Sequence, residues 1–377
     1  MMPKTFVLSF LITLLLNISC KSEAEKITER NAVVDSTVMA FQKLYYQNQL
    51  DSVFTGTQFN GTISVEQNNE KIYEKENGFE NFKTKSKLDS NSVFAIGSLS
   101  KQFTAVLVLL QEEQGKLSTK DLVSKYLTEF QNPTYTNITI DQLLNHSSGI
   151  DDFGNGLKFK SGTDFSYSNK GYRFLGKLIE KVSGKSYDQN AKELFAKAGM
   201  THTSTAAVFN SNQNFAGANL GTEQQNSIVE NMPKRLSADD ISTPAGGILS
   251  TVNDLHRWNN ALYSGQILKP ETLKKMTTKS SDRPHYVLGN VGYGDGIMMN
   301  LAQPEAYFHT GYVKGSPSLS IYYPGTKTSV VILSNIADES KGKEEFFQPH
   351  ATVKKSTDAI ENTVLEVRKE MIKTVEK

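Results

Sequence analysis

The chain has 377 residues, and its 41 basic and 40 acidic side chains leave a formal charge of +1. This near-cancellation argues against a nucleic-acid binder, which carries a basic excess. An apolar share of 38% with 21% charged residues describes a folded chain with a sizeable core, and a single cysteine, Cys20, leaves no internal disulfide and no thiolate cluster for a metal.

The N-terminus comes first. Lys4 precedes an apolar run from Thr5 to Ile18 that is too short for an ordinary membrane-spanning helix. Ser19-Cys20 follows, which is the form of a secretory signal peptide over residues 1–19. A cysteine placed after a small residue resembles a bacterial lipoprotein signal, although Asn17 stands where Leu is usual. The resemblance implies export, lipidation of Cys20 and a polar tether beginning at Lys21. Acyl chains contribute roughly 0.8 kcal/mol per buried CH₂, so several would hold the protein on a bacterial envelope membrane.

Residues 27–50 read as an amphipathic helix with Val33, Val34, Val38, Phe41, Leu44 and Tyr45 inward. Residues 59–66 and 71–77 read as a strand pair around the turn Gln67-Asn68-Asn69-Glu70. A helix over 98–114 is apolar nearly all round, hence buried, and ends at Gly115. From about 116 to 235 the pattern is helices and loops. Helices are predicted over 169–182, closed by Gly184, and over 187–197. Pro244–Gly247 reads as a turn, and Thr251-Val252-Asn253-Asp254 as a capping box opening a helix to Leu262. Strands are predicted over 286–300, 316–323 and 328–335, then a closing helix over 358–375. The order implies a catalytic domain over 51–377, with a sheet built from both ends of the chain, flanking helices and a mainly helical subdomain over about 116–235.

The chemistry starts at Ser98-Leu99-Ser100-Lys101. Residues three apart share a helix face, so the Lys101 amine can reach the Ser98 hydroxyl. A serine needs a base to become a nucleophile, and a lysine serves only if burial or nearby positive charge lowers its pKa. In Tyr167-Ser168-Asn169, residues two apart in an extended approach face one way. A phenol there could shuttle protons and an amide could hold a carbonyl. In His309-Thr310-Gly311 the glycine permits close approach, and the next N–H, from Tyr312, could join that of Ser98 as an oxyanion hole. His146 reads as a structural histidine bracing a loop. Gly292-Tyr293-Gly294-Asp295-Gly296 reads as a turn, and the six histidines show no metal-ligand spacing.

Ser98-x-x-Lys101, Tyr167-x-Asn169 and His309-Thr310-Gly311, in that order, resemble the class C β-lactamase and D-peptidase superfamily of serine hydrolases. Leu143-Leu144-Asn145-His146-Ser147-Ser148-Gly149 and the stretch Pro244–Leu255 are similar to further segments of that family. The resemblance spans roughly residues 55–335. It implies an α/β (α+β) fold of the β-lactamase/transpeptidase type, with the site between sheet and helical subdomain. It implies acyl-enzyme chemistry at Ser98 with Lys101 and Tyr167 sharing the proton work, substrate held by Asn169, His309, Thr310 and Gly311, and no metal or organic cofactor. His309 stands where β-lactamases carry lysine, which favours a peptide or small ester substrate over a β-lactam. A β-lactamase, and a penicillin-binding sensor that acylates without turnover, are the rival readings. Residues 204–240 match no family segment and are expected to line the cleft.

Overall fold

The computed structural model describes residues 22–56, 59–210, 214–230, 232–237 and 242–375. Cys20 and the apolar segment before it lie outside the described residues. Residues Tyr45–Asn362 form one compact unit, and the residues up to Leu44 form a second with those from Thr363 on. No helix among the described residues is long and apolar enough to cross a membrane.

The larger unit is organised on an eight-stranded antiparallel sheet. Its strands are β1 (Gly61–Gln67), β2 (Glu70–Asn77), β3 (Ser281–His285), β4 (Gly289–Tyr293), β5 (Met298–Met299), β6 (Tyr307–Val313), β7 (Ser316–Tyr323) and β8 (Thr328–Ser334). Their order is β3-β4-β5-β6-β7-β8-β1-β2, so strands from both ends of the chain meet as predicted. Every residue of β8 is buried, and its run Val330-Val331-Ile332-Leu333 suits a strand covered on both faces. Asn68 and Asn69, both at positive φ, make the tight β1–β2 turn. The strand predicted over 286–300 is instead two, β4 and β5, separated by the turn at Gly294–Ile297. Glycine at 292, 294 and 296 weakens a continuous strand there.

Helices cover both faces of the sheet. Ser320 and Tyr323 lie three apart on β7 and so point to opposite faces. Ser320 and Ser329 receive the Asn259 amide of helix α6 (Val252–Tyr263) at 3.0 and 2.9 Å. Tyr323 bonds Thr357 of helix α7 (Gln348–Val375) at 2.7 Å. Helix α7 starts ten residues earlier than predicted, with Pro349 in its first turn, where the missing N–H costs nothing. The predicted capping box at Thr251 is half formed. Thr251 accepts from the Asp254 N–H, but the Asp254 carboxylate turns to His202, Thr203 and Arg257 instead.

Helix α1 runs from Glu23 to Gly56. Its buried positions are Val34, Val38, Gln42, Tyr46, Leu50 and Val53, whereas Val33, Phe41, Leu44 and Tyr45 are exposed, against the predicted inner face. From Val34 to Leu50 the buried set follows one i, i+4 row, which slants across a helix, and Val53 ends it three residues on, so apolar type alone misplaces the face.

Helix α2 (Ser100–Glu113) is the core element that the others surround. Ser100 through Leu109 are all buried. Phe103 packs on Trp258 and Phe195, and Thr104 bonds the Tyr187 hydroxyl at 2.6 Å. Helices α4 (Asn169–Ser183) and α5 (Tyr187–Lys197) match their predicted bounds to within a residue, and Gly184 closes α4 at φ +71°. The short helix α3 (Ile140–Leu144) leads to the loop at His146.

Five of the six histidines are buried, and burial holds each below the ordinary imidazole range. His256, His285 and His350 are lowered to about 3. The unfolded chain takes up protons near pH 6.5 while the folded chain does not, so stability falls as pH drops from 6.5 toward 3. Each such histidine contributes a slope of about 1.4 kcal/mol per pH unit inside that window. Urea unfolding at pH 7.5, 6.0 and 5.0 should therefore lose more than one histidine's worth of stability per unit below 6.5. A flat profile over this range would mean that the rings are not held neutral.

Candidate active site

Two glycines bring the nucleophile turn against the sheet. Gly97 has φ +52°, and a Cβ there would lie 2.7 Å from the Tyr312 nitrogen. A Cβ on Gly311 would lie 2.1 Å from the Ile96 carbonyl oxygen. Only bare backbone permits this approach. Ser318 then donates to the Ile96 carbonyl at 2.8 Å and pins the turn to β7. Ser98 sits on a 3₁₀ turn, Gly97–Leu99, that runs directly into α2 and leaves its side chain partly accessible. The backbone at Tyr312 is thereby adjacent to that of Ser98. On β6, Tyr312 faces Pro317, which has no N–H, and the other edge of the strand is paired only at Tyr307 and Phe308.

Lys101 is the second residue of α2 and is fully buried. Its Nζ is 3.2 Å from Ser98 Oγ, 2.8 Å from Asn169 Oδ1 and 2.7 Å from the Ala245 carbonyl. It also lies 4.7 Å from the centre of the Tyr167 ring. Burial lowers its pKa to about 7, the Asp152 carboxylate opposes this, and the Arg283 guanidinium adds to it. A neutral amine has two hydrogens and one lone pair. These match two carbonyl acceptors and one hydroxyl donor, so the three contacts suit a base facing the Ser98 proton.

Tyr167 is half-buried, and its phenol is pushed up to about 12 by burial, partly offset by a hydrogen bond with Ser98. It stays protonated at neutral pH. Tyr167 and Asn169 reach the site together because α4 starts between them. Ser168 caps α4 by accepting from the Gly171 N–H at 3.0 Å. Asp152 accepts from Ser168 Oγ and from the Asn169 and Lys170 N–H groups at 2.6, 2.9 and 3.0 Å. These bonds satisfy the orphan donors of the first turn.

His309 differs from expectation. It lines the site, but its ring is fully buried and both nitrogens are engaged. Its Nδ1 faces the Thr310 carbonyl at 2.6 Å and so donates; its Nε2 then accepts from the Tyr293 hydroxyl at 3.1 Å. Tyr293 in turn accepts from His146 Nε2 at 3.1 Å, because His146 Nδ1 accepts the Ser168 N–H at 3.2 Å. The backbone groups at the two ends thus fix every proton in a neutral chain, Ser168–His146–Tyr293–His309–Thr310. Burial and the Lys101 charge hold both histidines well below 6.5. His309 is therefore a neutral brace and not a cation that meets substrate. His146 has the structural role expected of it. Thr310 is buried as well, its Oγ1 receiving His285 Nε2 at 2.9 Å.

The sequence-predicted residues Ser98, Lys101, Tyr167, Asn169, His309, Thr310, Gly311 and Tyr312 all come to this one place. Asp152, Arg283, His285 and Tyr293 were not singled out for it. Tyr293 had a signal in its glycine-rich setting, which read only as a turn. Residues 204–240 contribute scaffold where described: Ser204–Thr205 pair with Ile248–Leu249, and Asn219–Leu220 with Ile336–Ala337.

The chain is similar to known proteins along most of its length. The chain is 28% identical over 303 residues to the putative penicillin-binding protein PbpX of Bacillus subtilis, covering 75% of this chain and 72% of that one. It is 26% identical over 343 residues to penicillin-binding protein 4* of the same organism, covering 80% and 73%. Among solved structures, the D-amino acid amidase of Ochrobactrum anthropi matches with a TM-score of 0.70 at 21% identity, over 84% of this chain and 99% of that one. A penicillin-binding protein from Bacillus halodurans matches at 0.67 and 22%, over 83% and 99%.

A direct test of the geometry is Gly311→Ala. The added methyl must displace the Ile96 carbonyl, which overpacking puts at about 1–3 kcal/mol of lost stability. Labelling of Ser98 by a fluorophosphonate should slow in parallel. Unchanged melting and labelling would mean that the close approach does not position the turn. The Beta-lactamase family model matches residues 52–351, and the chain belongs to that family.

Proposed function

We propose that this protein is a serine hydrolase working through an acyl-enzyme on D-amino-acid-containing peptides or small esters. The observation that carries this reading is the buried Lys101 amine, lowered to about 7 and 3.2 Å from Ser98 Oγ. Lys101 takes the Ser98 proton as Ser98 attacks the substrate carbonyl. Tyr167, protonated at neutral pH, hydrogen-bonds Ser98 and hands its proton to the leaving group as the proton that Lys101 took from Ser98 replaces it, so both groups return to their starting forms. Asn169 orients the substrate and the Lys101 amine. The N–H groups of Ser98 and Tyr312 receive the oxyanion. The likeness to a D-amino acid amidase supports the choice of substrate class. The N-terminal pattern supports export and attachment to a membrane through lipidated Cys20.

The base assignment sets the pH dependence. Lys101 works as the free amine, so kcat/KM should rise with pH through about 7 and level off above. Tyr167→Phe should lower kcat/KM by about 10²-fold or more yet keep that acid limb. Ser98→Ala should abolish fluorophosphonate labelling. A limb that disappears with Tyr167→Phe would make tyrosine the base, and labelling that survives Ser98→Ala would overturn the nucleophile.

A further inference from the structure

One carboxylate beside the site has no part in the mechanism above. Asp152 stands on the loop between α3 and α4, and both of its oxygens face the first turn of α4. Its Oδ1 accepts from Ser168 Oγ at 2.6 Å and from the Lys170 N–H at 3.0 Å, and its Oδ2 accepts from the Asn169 N–H at 2.9 Å. Asn169 is thereby held at two points. Its N–H reaches Asp152, and its side-chain Oδ1 receives Lys101 Nζ at 2.8 Å. Capping alone does not call for a charged group here, because Ser168 already caps α4 by accepting from the Gly171 N–H.

The need for a charge arises when Lys101 works. Once it has taken the Ser98 proton, Lys101 is an ammonium in a fully buried place until that proton passes on to Tyr167. Its acceptors there, Asn169 Oδ1 and the Ala245 carbonyl, carry no charge. The rings around it are neutral as well: Tyr167 and Tyr172 at the start of α4, His146 on the loop after α3, and His309 on β6. The Arg283 guanidinium of β3 repels it. Among the described residues, Asp152 is the carboxylate whose field reaches the amine, and it acts against Arg283. A buried cation without a counter-charge is costly. We propose that Asp152 is a positioning residue that acts as the counter-charge of the Lys101 ammonium and is coupled to it through Asn169. This rests on the serine hydrolase reading above. The same side chain thus fixes Tyr167-x-Asn169 against α2 and offsets the charge that forms one residue away.

Asp152→Asn keeps the shape and one acceptor oxygen and removes the charge. NMR titration of the Lys101 ¹³Cε and ¹⁵Nζ signals should place the midpoint about one unit or more below that of the wild type, the usual scale for a nearby opposite charge. The acid limb of kcat/KM should move down with it, while the plateau falls about tenfold, the equivalent of one unit. Asp152→Glu should bring midpoint and limb back toward the wild-type positions. Asp151→Asn neutralises the adjacent residue, whose carboxylate accepts from the Phe153 N–H instead of from α4, and should shift neither. An Asp152 that only braces the loop predicts lower melting and lower activity in Asp152→Asn with midpoint and limb unmoved. That result, or an equal shift in Asp151→Asn, overturns the proposal. Where Asp152→Asn does not fold, Asp152→Ser takes its place and is read in the same way. If Ser98 fails to label with a fluorophosphonate, the hydrolase reading falls, and the NMR midpoints still decide for Asp152: a lowered midpoint supports it and an unmoved one refutes it.

Discussion

The burial of one lysine is the constraint on which the rest of this site depends. In water an ammonium at Lys101 would be useless as a base. Placed at the head of an apolar helix, with no solvent access, it loses the hydration that favours its charge. The sequence of α2 serves this end, because a helix apolar on every side has to be enclosed, and its first turn is enclosed with it. Phe103, Trp258 and Phe195 close one side, while the Ala245 carbonyl and the Asn169 amide supply acceptors to a group that is no longer solvated. The cost of burying the amine is thus offset by specific hydrogen bonds, and the same bonds aim it at Ser98.

A second set of contacts holds the two walls of the site together. The chain from Ser168 through His146, Tyr293 and His309 to Thr310 links the start of α4 to the strand that carries Tyr312. Each ring can satisfy its partners only when neutral, so the two histidines lend no charge that would raise or lower Lys101 further. In a low-dielectric site this matters, since a second buried cation would push the lysine down and weaken it as a base. The permanent charge at the rim is Arg283, which also acts on Lys101 in that direction.

Much of this is legible in the order of the amino acids. Helices α4 and α5 carry start and stop residues strong enough to place them to within a residue. The β1–β2 pair follows from alternation around Asn68-Asn69. The three motifs pick out the residues that gather around Ser98. Other features are hidden for physical reasons. The inner face of α1 includes Gln42, a polar residue no apolar pattern selects, and follows a slanted row. The sheet near Tyr293 is broken at the glycine-rich stretch 292–296, inside the single strand predicted over 286–300, because composition does not say where pairing stops and resumes. The charge state of His309 depends on burial and on partners up to 163 residues away in sequence, His146 among them through Tyr293, and only the folded chain brings these together. Arg283 sits on a short edge strand whose sequence, Ser281-Asp282-Arg283-Pro284-His285, has no strand signature at all.

The central claim is that Lys101 is a free amine at the pH where the protein works. It is tested most directly by NMR titration of the Lys101 side chain, using ¹³Cε and ¹⁵Nζ signals in lysine-labelled protein, assigned through Lys101→Arg. The account predicts a titration midpoint near 7, set apart from the other lysines. A midpoint close to 10.5, with the bulk of the lysines, would contradict it.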